Sequence, residues 1–494
     1  MKIKNVLKKG LVITTAIGMI SILSPITGGK SLAYGGELII NLPVFDHDST
    51  TGNGTKDDPF IIYDADGLSN FRDNVNKNGE NYTGKYIKLG EDIDLSSVCG
   101  EGKGDWEPIT LGGGTLFRGT FDGDGHTISG LYIGNGDNNV GLFGVLETHG
   151  LIKNLHVNGY VNSSGRAGGI VGHSFGCIEN CSFSGTVTST GNRAGGIAGE
   201  SCDVISCKVD GNIDAYGDVG GIVGFLKTGS KVDGCSFSGT VLGKQDFGGV
   251  IKPNVEVDDV GGIAGVIMGS IINCKAEGDI KGYLNVGGIA GGTGSTGTVS
   301  KCVFSQGMVY ASARNAGGIV GYHCGVKISE CKNYGSVKVG NERVGGIAGF
   351  LCGSVVSCEN RGNVAGGSYA GGIAGESSQC KGSKGTMEYC VNYGEISGDT
   401  NVGGVIGYAR YGIAGCSNRG GKVTGNSLVG DFLGDMNEGV TLGEIGSSFS
   451  DGNWLMIGIL TAIGVLAMFV ASLIIKRRRK MAMIMASDPD VEKD

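Results

Sequence analysis

The amino-acid sequence predicts an all-β fold: a right-handed parallel β-helix (β-solenoid) of about ten glycine-rich repeats, with an N-terminal cap and a C-terminal transmembrane helix. Three observations predict it. First, the block Gly-Gly-Ile/Val-x-Gly recurs. Its second glycine falls at Gly169, Gly196, Gly221, Gly262, Gly288, Gly318, Gly346, Gly372 and Gly404, with degenerate copies at Gly141 and Gly430. A fixed period of this size marks a stacked repeat array. Second, each block is followed by Cys-x-x-x-Gly or a close variant and a β-branched run, as in CSFSGTV at Cys181 and Cys235, CKVDGNI at Cys207 and CKNYGSV at Cys331. Third, glycine makes up 98 of 494 residues with only six prolines and no Gly-X-Y period, which excludes collagen and Pro-rich disorder.

The first element is residues 1–33. Lys2, Lys4, Lys8 and Lys9 precede an apolar run, and Ser31, Leu32 and Ala33 place small residues at a cleavage position, the pattern of a secretory signal. Residues 34–133 form a leader. Within it Leu68, Phe71 and Val75 share one helical face after Asp64, and IKLGEDIDL and the stretch from Thr115 to Ile133 read as strands. The leader is expected to cap the open end of the solenoid, where unpaired strand groups would otherwise be exposed.

Residues 134–440 are the repeats. Each is expected to supply three short strands: the Gly-Gly block, the Cys-centred segment and the β-branched run. One unit cannot bury its apolar face alone, but copies stacked in register form a continuous core. The strong bias of parallel crossovers gives the right-handed winding. Glycine is expected to permit positive φ at corners and close approach of stacked backbones. Asn333, Asn360 and Asn392, each two residues before a glycine, fit a turn repeated from rung to rung, and Asn139, Asn285, Asn315 and Asn401 mark another corner.

Residues 441–453 are a polar linker. Trp454 to Ile475 are 22 uncharged residues, long enough to cross a hydrocarbon core of about 30 Å. Lys476 to Lys480 follow at once, so the positive-inside rule puts the tail, residues 476–494, in the cytoplasm and the rest outside. No proline lies between Pro253 and Pro489, so a Leu-Pro-x-Thr-Gly wall-sorting pentapeptide is absent and retention in the membrane is expected. The net charge of −8 conceals an asymmetry. Without signal and tail the chain holds 29 basic against 44 acidic residues, which argues against nucleic acid as a partner.

The repeats resemble the GLUG motif of bacterial surface proteins, including the repeat regions of some IgA-specific metalloproteases. GNGTKDDPFII, GKYIKLGEDIDL and FRGTFDGDGHTISGL resemble the leader that precedes such repeats. The resemblance covers roughly residues 52–434 and implies architecture rather than an activity. Metalloprotease chemistry needs paired histidines with a glutamate between them, and no histidine here is followed by Glu.

Nine cysteines, Cys181, Cys207, Cys235, Cys274, Cys302, Cys331, Cys358, Cys390 and Cys416, occupy one repeat position, taken by Leu155 in the first repeat. A slot that accepts leucine points inward, so a ladder of free, buried thiols is expected. Cys99, Cys177, Cys202, Cys324, Cys352 and Cys380 lie nearer turns and are the better candidates for a crosslink. No zinc-type Cys pairing occurs, and neither metal nor cofactor is expected.

Asp57–Asp58 and Asp258–Asp259 read as solvated turn residues and His126 as a structural turn rather than a base, while Asp122 and Asp124 are two carboxylates without the further oxygens a calcium site needs. Gly292, Gly294 and Gly297 satisfy GxGxxG, but a strand-like segment follows, and in so glycine-rich a chain the match carries no weight. The long repeat step inserts about 15 residues around Gly243 to Asp259. Insertions in solenoids form lateral loops, so Phe247, Ile251 and Pro253 are candidates for an apolar contact.

The function expected is that of a non-enzymatic, single-pass cell-membrane protein with an extracellular repeat region. It is expected to act as an adhesin or display scaffold for a host or neighbour-cell surface protein or glycan. The alternative is a cell-envelope carbohydrate-active β-helix enzyme, which a carboxylate cluster in a deep lateral groove would favour.

Overall fold

The computed structural model describes residues 52–110, 114–244, 246–247, 250–251, 259–380 and 382–436. The signal segment, the linker, the C-terminal span and the tail lie outside the described residues. No helix among the described residues is long and apolar enough to cross a membrane.

One complete rung shows how sequence becomes structure. Arg166–Gly168 forms face 1, Val171–Ser174 face 2, Cys177–Glu179 face 3 and Ser182–Ser189 face 4. The next rung repeats this with Arg193–Gly195, Ala198–Ser201, Val204–Ile205 and Lys208–Ala215, each strand pairing in parallel with its counterpart below. The repeat therefore has four sides, not the three expected. The Gly-Gly block, expected as one strand, is a corner: face 1 ends on its first glycine and face 2 begins after its isoleucine.

Close approach is the reason that corner needs glycine. A Cβ on Gly169 would stand 2.2 Å from the Phe183 ring and 2.5 Å from the Gly196 carbonyl oxygen. The corner between faces 3 and 4 differs. Its left-handed residue sits immediately before the ladder cysteine and is mostly not glycine: Asn180, Ser206, Asn273, Lys301, Glu330, Ser357 and Tyr389 have φ of 50° to 56°. Such a φ is unfavourable for an L-residue by roughly 1–2 kcal/mol. Backbone hydrogen bonds to the rungs above and below impose it. Asn139, Asn315 and Asn401 hold φ of 53° to 63° at the other predicted corner.

Stacking gives thirteen parallel strands on face 3, eleven on face 2 and ten on face 1. Thirteen rungs at about 4.8 Å make a column on the order of 60 Å long. The count exceeds the ten expected because the leader is part of the column. Phe60–Ile62, Tyr86–Leu89 and Thr120–Asp122 are the first three strands of face 3. Capping itself falls to one helix, Ala65–Asn76, whose N-terminus is closed by Asp64 accepting from Gly67 N–H at 2.8 Å. Its buried Leu68, Phe71 and Val75 face the column, with Phe71 5.7 Å from the Phe117 ring and 5.8 Å from Phe121. The degenerate blocks also align differently from the sequence reading. Gly430 pairs with Gly403 and Val140 with Ala167, so Gly141 and Gly430 match the first glycine of the block.

Candidate functional site

The nine ladder cysteines are buried and free, each at the corner between faces 3 and 4. Their thiols bond to backbone rather than to one another: Cys207 Sγ lies 3.3 Å from the Ile205 carbonyl and accepts from Cys181 N–H at 3.5 Å. Burial pushes the Cys207, Cys302 and Cys358 thiols well up. This row is a buried spine of the column. Among the six remaining cysteines, Cys352 and Cys380 form a disulfide between adjacent rungs, with Cα atoms 5.5 Å apart.

The insertion forms a two-stranded antiparallel hairpin, Asp246–Phe247 with Val250–Ile251. Pro253 lies outside the described residues. Asp58 accepts hydrogen bonds from Asn53 in an exposed turn. Asp122 pairs with Lys153 at 2.9 Å, Asp124 with Lys88 at 2.8 Å, and the His126 ring stands 3.2 Å from Asp92. Asp122 ends a face 3 strand and the others lie in turns, each with a lysine, amide, imidazole or carboxylate partner.

Asp259 departs from its expected role. It is 6% exposed and accepts from Asn285 Nδ2 at 2.8 Å, and Asn285 Oδ1 in turn accepts from Asn315 at 2.7 Å. Burial of a carboxylate in a row of amides is the work of stacking: the residue that reads as a loop end becomes one step of a ladder.

That ladder borders a groove of about 650 Å³ on faces 1 and 2, lined by Asp259, Val266, Asn285, Gly292, Arg314, Asn315, Tyr322, Arg343 and Phe350 among others. The groove arises from the residue that follows each Gly-Gly-x-x-Gly block. In register these residues run His173, Glu200, Phe225, Val266, Gly292, Tyr322, Phe350, Glu376 and Tyr408. Below the groove Glu200 is saturated. It accepts from Arg166 at 2.7 Å, bonds Arg193, and has His173 and Lys227 within 3.4 and 3.6 Å. Burial alone would raise its pKa, but the cations around it hold the carboxyl far below the usual range. Above the groove Glu376, 2% exposed, accepts from Arg343 at 2.6 Å and Arg410 at 3.0 Å. Between these two ion clusters the ladder becomes apolar. Tyr322 and Phe350 stack with centroids 5.1 Å apart and planes at 16°. Burial, with Cys324 and Asp259 nearby, raises the Tyr322 phenol pKa.

None of the groove residues was singled out in the sequence for binding. The signal that reveals them is the residue after each block, read down the repeats as one column; it is legible without coordinates once the blocks are aligned.

A parallel column of near-identical rungs with a side-chain ladder on each face defines a repeat β-solenoid. The GLUG motif matches residues 163–188, one rung of the column. It is 36% identical over 130 residues to a protein named a Gly-rich membrane protein in Evansella cellulosilytica, covering 25% of this chain and 14% of that one. It is 35% identical over 130 residues to a halomucin of Haloquadratum walsbyi, covering 25% of this chain and 1% of the relative. The matches thus span a small share of those relatives' own lengths. A crystal structure described as an immunoglobulin A1 protease from Bacteroides ovatus aligns at 18% identity with a TM-score of 0.30, over 80% of this chain and 86% of that one.

Proposed function

We propose that this chain is a non-enzymatic, membrane-anchored cell-surface scaffold. It is exported by residues 1–33, held by the span 454–475, and presents its solenoid to a protein or glycan of a host or neighbouring cell. The observation that carries this reading is the face 1 and 2 groove, whose lining includes a single carboxylate, Asp259, flanked by aromatic rings and arginines. Glycoside hydrolysis ordinarily uses two carboxyl groups roughly 5–9.5 Å apart. A lining with one supports binding over turnover. The names of the similar proteins, a Gly-rich membrane protein and a halomucin, are in keeping with a surface location.

The test has two arms. Protease treatment of intact cells is expected to remove the solenoid while sparing the residue 476–494 tail, and an intact solenoid after treatment would sink the topology. Incubation of the purified exterior region with cell-envelope polysaccharides is expected to release no reducing sugar; measurable release would move the reading to a carbohydrate-active enzyme.

A further inference from the structure

The face 2 ladder has one rung without a side chain. Gly292 lies in register between Val266 and Tyr322. At about 4.8 Å per rung those two side chains are roughly 10 Å apart. Less the half-thickness of a ring and a methyl group, that leaves a slot of about 6 Å, room for one puckered ring. Tyr322 presents one face to this slot while the other stacks on Phe350, and its hydroxyl lies 3.5 Å from Cys380 Sγ on the far side.

The floor of the slot is a carboxylate. A Cβ on Gly292 would stand 2.6 Å from Asp259 Oδ1, so the absent side chain is what makes room for the carboxyl group. Asn285 donates to it and is in turn held by Asn315, whose Oδ1 is buried with no hydrogen-bond partner among the described residues. Arg314 stands exposed at the rim and makes no ion pair among the described residues, whereas Arg343 is engaged by Glu342 and Glu376.

We infer that this slot binds one pyranose unit of a glycan, its C–H face stacked on Tyr322, its hydroxyls donating to Asp259, and Arg314 meeting an oxygen-rich substituent. The inference rests on the surface-scaffold reading and gives it a ligand class. Three features favour a sugar ring over other flat groups. An aromatic cation would suit Asp259 but would be repelled by Arg314. A phenyl ring brings no set of donors for the carboxylate. A nucleotide's phosphates meet an acidic chain. A pyranose has an apolar face and several hydroxyl donors, and aromatic stacking combined with charge-assisted hydrogen bonds uses both.

The experiment is a glycan array probed with the exterior region, carrying neutral and uronic-acid pyranosides, followed by titration of the best binder. Tyr322→Ala is expected to weaken binding at least tenfold. Val266→Phe, which fills the vacant rung from the partly exposed neighbouring position, is expected to do the same with unchanged circular dichroism and melting. Arg314→Ala is expected to weaken uronate glycans selectively if the substituent is a carboxylate, and both kinds equally if it is a neutral oxygen. Binding at full strength by both Tyr322→Ala and Val266→Phe would overturn the slot assignment, as would failure to bind any pyranoside. Neither result touches the surface-scaffold reading, which stands or falls on the cell-shaving and sugar-release assays.

Discussion

The lower and upper halves of the column solve one packing problem in two ways. From His156 to Gly282 each rung gives face 4 an eight-residue strand, and the stacked inner positions are Val157, Phe183, Val209, Phe237 and Ala276. From Val303 to Thr424 the same face is broken into two short strands per rung. After Phe304 the inner position passes to Asn333, Asn360, Asn392 and Asn418. Along this row Asn333, Asn360 and Asn392 each donate Nδ2 to the Oδ1 of the next asparagine, at 2.8 Å, ending on Asn418. The first three also close the corner by accepting from the glycine two residues on, at 3.1–3.2 Å. The lower half is held by apolar burial, which is non-directional. The upper half relies on a buried amide network, which is stable only while every member is satisfied.

The largest expected effect breaks the network. Asn360→Leu takes from buried Asn333 Nδ2 its Asn360 acceptor and from buried Asn392 Oδ1 its Asn360 donor, at about 1–3 kcal/mol apiece, and opens the corner. A loss of about 4 kcal/mol is expected, with amide-exchange protection falling over residues 333–424 while rungs 156–282 hold. Even loss over both halves would show that the column unfolds as one unit. The converse substitution sharpens the contrast. Val209→Asn places an amide between Phe183 and Phe237 with no ladder to join, and about 3 kcal/mol of destabilisation is expected by chemical denaturation.

Acid separates the halves further. His323 is fully buried beside Thr293, 2.9 Å from its hydroxyl, and desolvation lowers its pKa to about 3. Its depressed folded value makes the unfolded chain bind the proton first, so stability is intact above about 6.5 and declines as pH falls toward the folded value. A loss of about 2 kcal/mol by pH 5 follows from that window. Glu200, also depressed, contributes stability that is fully present above the ordinary carboxylate range and is lost as pH falls through that range toward the folded value, so the lower half is expected to be little moved at pH 5. Melting at pH 7 and pH 5 for the parent and His323→Leu checks this, and an unchanged pH dependence in the variant would count against the assignment.

The smallest effect lies at the corner before the cysteines. The lower half fills it with Asn154, Asn180 and Asn273 beside Ser206 and Gly234, whereas the upper half has no asparagine there and uses Lys301, Glu330 and Tyr389 beside Ser357 and Gly415. Glu330→Asn is expected to raise stability by up to about 1 kcal/mol and Asn180→Gly to change it by a few tenths, read as shifts in denaturant midpoint.

Much of this was legible in the sequence, because a solenoid writes its period directly into the chain. The block spacing, the inward cysteine row, the Asn-x-Gly corners and the helix at Leu68, Phe71 and Val75 all follow from local pattern and from the need of each unit to bury its face against the next. Tertiary stacking alone decided the rest. It made the Gly-Gly block a corner, because only folding brings the Phe183 ring of the same rung and the Gly196 carbonyl of the next one to the place a side chain on Gly169 would occupy. It drew the leader into the column, because Phe60–Ile62 becomes a rung only once Tyr86–Leu89 pairs with it. It buried Asp259 and opened the slot at Gly292, because a missing side chain is a cavity only when its neighbours in register, far away in the chain, are a valine and a tyrosine.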